Sequence, residues 1–532
     1  MRLHGRRIYP GVVEGEALVT SMGISFFGGV DPESGVVVER GHELEGQSVA
    51  GKILIFPSGK GSTVGSYTLY RLKHNGKAPA AILNAECETI IAVGCIIAEI
   101  PCLDRLPIGQ LRSGQLLRLD AEARWVKVLQ PAAIPGPLCG SEPGTFAEDT
   151  MTNRLPGIGR RVLDEGQWTA EAVERLQRLI SNLPNGRQDG MPADGGPDWE
   201  KWDAWLQSYE GMNWLQMPWF PAEVTFFRRL LAASGYFRDE PGRGVDPYRA
   251  QKLHGLRTLE HGLGPLCAQL EAQGELEGER LDAALADLLR AAVWGNQADL
   301  SVFPAGEAQP EQHSEDSRAT HLLADQAQQA AAYLNSLERS LPRRVDFILD
   351  NVGMELAYDL VVTDFLLRHG LAGQVRFFAK PYPTYVSDAM IPDVIETVAA
   401  LQQNSDPAVR RLGERLQGGL AAGSFTLAVD DFWISPLSGW EMPAELQADL
   451  AGSALLVSKG DANYRRWLGD RHWAATTPFE AVCAYRPAPL LALRVLKSEI
   501  VAGLAPGRAE QAARADLNWM FSGRWGLIQF CE

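Results

Sequence analysis

Four stretches in the last third of the chain each pair an apolar run with residues that could do chemistry. VDFILD ends in Asp350 and Asn351, with Glu355 just beyond, and the stretch after VRFFAK leads through KPYPTYVSD to Asp388. ALLVS runs into KGDANYR, which carries Lys459, Asp461, Asn463 and Arg465, and PLLALRVLK brings Arg494 and Lys497. Asp350, Asn351 and Asp388 offer oxygen donors only. Such a set suits a hard or borderline divalent cation, Mg²⁺ or Mn²⁺, and not a thiolate-seeking ion. Two carboxylates and an amide neutralise the ion only in part, so it would attract a phosphate. Lys459, Arg465, Arg494 and Lys497 would complete that anion's surroundings with point charges and planar forks. The combination points to metal-assisted phosphoryl transfer to water. Taken singly, an Asp or Asn after a strand is as readily a turn residue or a helix N-cap. Recurrence at successive run ends is what favours a site.

Such residues need a scaffold. After residue 341 the runs VDFILD, VRFFAK, SFTLAV, ALLVSKG and AVCAY read as short strands alternating with helix-like segments. That predicts a mainly parallel sheet covered on both faces, with ligands beyond the carboxyl ends of its strands. Residues 150–340 are helical in period, as in AEAVERLQRLISNL and LDAALADLLRAAV, with polar insertions at 185–198 and 303–318 expected as exposed loops. Pro131, Pro135, Pro137 and Pro143 mark 131–149 as a Pro/Gly linker with little to bury. Residues 1–130 are β-rich and punctuated by glycine. The expected fold is therefore multidomain. A β-rich α/β domain over 1–130 precedes the linker, a helical cap over 150–340 and a three-layer, Rossmann-like α/β core over 341–532.

Composition narrows the function. A chain of 532 residues with 45 % apolar content is long enough for more than one core. Its 50 basic against 66 acidic residues give a formal net charge of −16. That charge repels phosphate backbones and anionic lipids and argues against nucleic-acid or membrane-surface binding. A small phosphorylated substrate stays possible, because a few local cations can dominate a pocket. No apolar run of spanning length and no signal-peptide core is seen, so a cytoplasmic location is expected. The 7 cysteines include no CxxC pair and are expected as reduced thiols, with Cys87, Cys95 and Cys102 as small buried hydrophobes. Trp168, Trp199, Trp202, Trp205, Trp214 and Trp219 form either an aromatic core or a stacking platform.

Several ordered motifs carry a resemblance. WLQMPWFPAEVTFFRRLL (214–231), WGNQADLS (294–301), DNVGMELAYDL (350–360), VSDA (386–389), KGDANYRRWLGD (459–470) and ALRVLK (492–497) stand in residues 150–532. This region resembles the metal-dependent damage-control phosphatases, formerly a domain of unknown function, in their sugar-phosphate phosphatase branch. The resemblance implies a divalent metal ion (Mn, Mg, Co or Ni) on Asp350, Asn351 and Asp388, with Asp350 and Asp388 catalytic. It implies substrate contacts from the loop Asp461 to Arg465 and from the basic element Arg494 to Lys497, with Glu355 near the site. The family's RTxK threonine is Val495 here, so any hydroxyl contact from that position is lost. Asn296 and Asp299 would either support the site or act as helix-cap and packing groups.

The loop PSGKGSTVGS (57–66) follows the apolar strand KILIF. Its glycines could cradle an anion weakly, but it is no P-loop, since Lys60 is followed by Gly61. With SFFGGVDPESGVV (25–37) and KAPAAILN (77–84), it resembles the aconitase X swivel domain, as in the small subunit of phosphomevalonate dehydratase. That resemblance implies Ser62 as a proton acceptor, with Lys60 nearby, in an enzyme that also needs a large subunit carrying an iron–sulfur cluster. The leading expectation is a metal-dependent phosphatase of small phosphometabolites, sugar phosphates or related damaged metabolites, fused to a swivel domain that binds a metabolite. The alternative is the small-subunit half of an aconitase X-type dehydratase, completed by a separate iron–sulfur large subunit.

Overall fold

The computed structural model describes residues 2–257, 259–295, 321–338 and 343–532. It divides into two units, Met1–Ile134 with Ala481–Pro487, and Pro135–Glu480 with Ala488–Glu532.

The first unit holds strands β1 (Arg2–His4), β2 (Arg6–Tyr9), β3 (Val12–Val19), β4 (Ile53–Phe56), β5 (Ala81–Asn84), β6 (Cys102–Asp104), β7 (Leu116–Asp120) and β8 (Trp125–Gln130). They form one sheet in the order β1-β8-β7-β3-β4-β5-β6-β2. β3 to β6 run parallel. Central β4 and β5 are buried at every residue, which is why ILIF and AILN are unbroken apolar runs and not alternating ones. Helices Gly65–His74 and Thr89–Ala98 follow them, adding helix to what reads as strand and turn. The Glu88 carboxylate starts the second helix by accepting from the amides of Ile90 and Ile91 at 2.7 and 3.0 Å. Cys95 and Cys102 are buried and Cys87 is partly so, and none of the 7 cysteines is bridged.

The second unit carries β9 (Leu322–Asp325), β10 (Arg344–Ile348), β11 (Gln374–Ala379), β12 (Phe425–Val429), β13 (Ser453–Lys459), β14 (Leu490–Val495) and β15 (Gly526–Cys531), in the order β12-β11-β10-β13-β14-β15-β9. β12 through β14 are parallel, whereas β15 is antiparallel to β14. Val345, Phe347, Val375, Phe377, Val457 and Leu493 pack in one core with Leu285 and Val293 of helix Gly278–Trp294 and Leu356 and Leu360 of helix Met354–Arg368. The chain winds from β10 through β11 to β12 on one side, then returns to β13 on the other side of β10. Two adjacent strands whose connections leave in opposite directions open a crevice at their carboxyl ends, the usual ligand site of such a sheet.

Four expectations need correcting. The insertion at 185–198 is not simply an exposed loop, since Gln188, Met191, Asp194 and Asp198 are buried and both aspartates pair with Arg228. β9 lies inside the stretch read as helical cap and joins the sheet edge. AVCAY is no strand: Phe479–Val482 is a short helix, because a four- or five-residue apolar run is equally compatible with a buried helical turn. The Pro/Gly stretch does bury something. Leu138 is 1 % exposed, its amide donates to the Asp470 carbonyl at 3.1 Å, and its own carbonyl accepts from Trp219 at 2.8 Å. The insertion at 303–318 and the residues Asn296 and Asp299 lie outside the described residues. No helix among the described residues is long and apolar enough to cross a membrane.

Candidate functional site

Asp350 and Asn351 leave the carboxyl end of β10, and backbone pairing brings the Asp388 loop against them. Asn351 and Asp388 form an isolated antiparallel bridge, Ala389 donates to the Asp350 carbonyl and Val352 to the Ser387 carbonyl, each at 2.8 Å. The turn into this loop takes Tyr385 and Val386 through φ of 46° and 67°, a region that bulky and β-branched residues avoid. All three donors are buried. The Asn351 amide nitrogen donates to Asp350 Oδ2 at 2.8 Å and to Glu355 Oε2 at 3.0 Å, while its oxygen accepts from Ser387 Oγ at 2.6 Å. Lys380 Nζ stands 3.4 Å from Asp388 Oδ2. Gly460, first in the helix after β13, has φ 80°, and a Cβ there would sit 1.8 Å from Asp350 Oδ2. Only glycine leaves that carboxylate its place.

These donors border a cavity of about 30 Å³, lined also by Arg154, Trp219, Glu223, Tyr385, Asp461, Arg465 and Lys497. That is room for an ion with a water or two. Among the described residues no group of three or more His, Cys, Asp or Glu could hold a metal. The donor set here is two carboxylates and an amide oxygen, all hard oxygen donors. It therefore fits a cation such as Mg²⁺, which binds through one or two carboxylates and keeps its remaining positions for water and substrate phosphate.

The opposite wall is cationic and rigid. Arg465 donates to Glu223 Oε2 at 2.6 Å and to both Asp470 oxygens at 2.8 and 3.2 Å, with its guanidinium 3.7 Å over the Trp219 ring. Glu223 also accepts from Arg154 at 2.5 Å, so one carboxylate orients two arginines. Burial pushes the Asp470 carboxyl up, against the pull of Arg465, and Asp470 and Glu223 hold the Arg465 guanidinium well above its ordinary value despite burial. Among the described residues Trp219 Nε1 and Tyr385 Oη are buried with no hydrogen-bond partner, and both residues line the cavity. Burial raises the Tyr385 hydroxyl well above its usual range, so it stays a neutral donor.

Not every expected residue reaches the cavity. Asp350, Asn351, Asp388, Asp461, Arg465 and Lys497 line it, whereas Lys459, Arg494, Asn463 and Glu355 do not. Lys459 Nζ donates to the Ala292 carbonyl at 2.9 Å and lies 2.9 Å from Asp359 Oδ1 and 3.7 Å from Glu355 Oε1. Burial pushes Glu355 up to about 7 and Asp359 up to about 6, with Lys459 tempering both. Burial disfavours the Lys459 charge, but the two carboxylates outweigh it and raise its pKa. Arg494 is spent on Asp461 Oδ1 at 2.7 Å and on Ser498 and Ile500, leaving Asp461 to accept also from the Lys497 amide at 3.0 Å. Asn463 donates to the carbonyls of Leu349 and Lys459, at 3.1 and 2.8 Å, and so ties the end of β10 to the end of β13. Ser62 lies in the first unit, exposed, its hydroxyl accepting from the Val64 amide at 3.3 Å, while Lys60 pairs with Glu39 at 2.5 Å. Arg154, Glu223, Tyr385, Lys380 and Asp470 were not foreseen. Glu223 stands inside the motif 214–231, where a charged residue amid aromatics was the available signal.

Residues 150–512 match the damage-control phosphatase ARMT1-like domain, and residues 2–128 match the aconitase X swivel domain. The damage-control phosphatase ARMT1 of Homo sapiens is 28 % identical over 439 residues, covering 75 % of this chain and 99 % of the human protein. The ARMT1 of Mus musculus is 30 % identical over 438 residues, with the same coverage of 75 % and 99 %. Among solved structures, the holo-form of aconitase X from Thermococcus kodakaraensis is 50 % identical over 24 % of this chain and 99 % of that chain, at a TM-score of 0.24. With a family model matched over more than half its length, this chain belongs to the ARMT1-like damage-control phosphatase family, and it carries an aconitase X swivel domain at its N-terminal end.

Proposed function

We propose that the second unit hydrolyses phosphate monoesters of small metabolites, sugar phosphates or related damaged metabolites, with a divalent cation (Mg, Mn, Co or Ni) on Asp350, Asn351 and Asp388. One observation carries the reading: oxygen donors and three cationic side chains, Arg154, Arg465 and Lys497, converge on one cavity beyond the β10 and β13 ends. When bound, the cation supplies Lewis-acid polarisation of the phosphoryl oxygens and neutralises part of their charge. Lys497 and Arg465 bind the remaining oxygens, as a point charge and a fork. Tyr385 Oη and Trp219 Nε1 add neutral donors, and Glu223 with Asp470 keeps the Arg465 fork from swinging away.

The seven unbridged cysteines favour a reducing, cytoplasmic setting. In this reading the swivel unit binds a phosphorylated or carboxylated metabolite at its Ser62 loop. Its match over residues 2–128 favours one second reading, a dehydratase half-enzyme, which predicts co-purification of an iron–sulfur large subunit. The metal site is tested by adding Mn²⁺ to EDTA-treated protein and following thermal unfolding. A ligand at a hundred times its Kd adds about 2.7 kcal/mol. The wild type should gain that stability and Asp388→Ala should not. A gain in Asp388→Ala and Asp350→Ala as large as in the wild type would sink the assignment.

A further inference from the structure

A second cavity, of about 380 Å³, lies in the helical part of the second unit, against helix Ala170–Asn182 and the C-terminal half of helix Trp219–Ser234. It shares no lining residue with the first cavity. Five arginines line it, Arg175, Arg178, Arg187, Arg229 and Arg238, against one carboxylate, Asp189. In a chain of net charge −16 that local excess of cations is the reverse of the average, and it costs free energy unless something offsets it. Two of the five are offset within the protein, Arg175 by Glu240 and Arg178 by Glu174. Arg187, Arg229 and Arg238 make no ion pair with a carboxylate among the described residues.

Two further observations point to a ligand. The Nε atoms of Arg229 and Arg238 are buried with no hydrogen-bond partner among the described residues, and a buried donor left unsatisfied is a place where an anion or water belongs. Burial also pulls the Arg229 guanidinium below its ordinary value, with Asp189 offsetting only part. Apart from Asn182 the rest of the lining is apolar, Trp214 with Leu179, Pro192, Ala232 and Ala233. Trp214 is held by its ring N–H, which donates to Asn182 Oδ1 at 2.8 Å. An apolar wall with a cationic rim, at a volume within the usual span of small-molecule sites, is a built pocket and not a surface charge cluster.

We propose that this cavity binds a small organic polyanion of nucleotide size, with two or more phosphate or carboxylate groups on a flat or apolar body. Guanidinium forks suit both groups, and bidentate pairing fixes orientation as well as affinity. The binding helix is shared: Trp219 and Glu223 face the first cavity, Arg229, Ala232 and Ala233 the second.

The test is isothermal titration of the full chain in EDTA with ADP, with citrate and with inorganic phosphate. ADP or citrate should bind as a single equivalent, and more tightly than inorganic phosphate. ADP alone would mark the ligand as a phosphorylated flat molecule, citrate alone as a polycarboxylate. Binding should be the same in Asp350→Ala and at least about tenfold weaker in the double variant Arg187→Ala/Arg238→Ala. If that variant fails to give the native circular dichroism spectrum, Arg187→Ala alone, at an exposed position, serves the same purpose. The proposal is overturned if neither ADP nor citrate binds, if the arginine variants bind as the wild type does, or if Asp350→Ala is the variant that loses binding.

Discussion

A charged residue's role is decided by what surrounds its charge. Lys459 and Lys497 are both buried lysines near the end of a strand, yet only Lys497 lines the cavity. Lys459 sits between Asp359 and Glu355, two carboxylates that burial drives toward neutrality. Lys459→Met should therefore cost stability, by about 3–5 kcal/mol as for other buried pairs that lose one partner. Urea unfolding checks this, and an unchanged midpoint with a raised KM would return Lys459 to phosphate binding. Gly460 makes the opposite point with no side chain at all. With φ 80° and Asp350 Oδ2 1.8 Å from where a Cβ would stand, Gly460→Ala must displace the carboxylate. Turnover and Mn²⁺ affinity should fall at least about tenfold, as when a metal ligand's support is removed. Wild-type affinity in that variant would mean Asp350 does not need its present position.

At the scale of elements, the sheet order turns separate strand ends into one place. β10 and β13 are neighbours whose onward connections part, and Asn463 ties the two ends through the Leu349 and Lys459 carbonyls. Asn463→Ala leaves both carbonyls buried without that donor, which should lower stability by about 1–3 kcal/mol and reduce kcat more than KM. A variant that matches the wild type in stability and kcat would show that the tie is dispensable. Much of this was legible in the sequence, because oxygen donors right after apolar runs survive any uncertainty about helix boundaries. Asp350 and Asn351 stand out that way, and Asp388 through the stretch that follows VRFFAK. Arg494 and Asn463 were read as substrate contacts because residue type shows a donor and not the acceptor already waiting for it, Asp461 in one case and two carbonyls in the other. Arg154 and Glu223 went unseen because their contacts, Arg154 with Glu223 and Glu223 with Arg465, join positions 69 and 242 residues apart through tertiary packing, with no local spacing to mark them. AVCAY was misread for a different reason, since a run that short carries no period.

At the scale of the molecule, the body is acidic while the cavities gather cations. The charge of −16 spreads over the chain, but Arg154, Arg465 and Lys497 meet at one cavity, where their burial reduces screening by solvent and salt. The swivel unit has its own electrostatic signature. Glu43 accepts from the Ser21 and Thr20 hydroxyls and the Ser21 amide, which holds its carboxyl down at about 2. A lowered carboxyl pKa adds stability that is complete above the unfolded value near 4.5 and is lost as pH falls through the folded one. Glu43→Gln should therefore weaken the unit at neutral pH and flatten its loss of stability between those two values. Equal pH profiles for variant and wild type would contradict this.

The most direct test is phosphate release by the EDTA-stripped full chain, with Mg²⁺, Mn²⁺, Co²⁺ or Ni²⁺ added back, on an aryl phosphate and a panel of sugar phosphates. Metal-dependent release is predicted, reduced at least about a hundredfold in both Asp350→Ala and Asp388→Ala. No release with any metal, or release from either variant equal to that of the wild type, would contradict it.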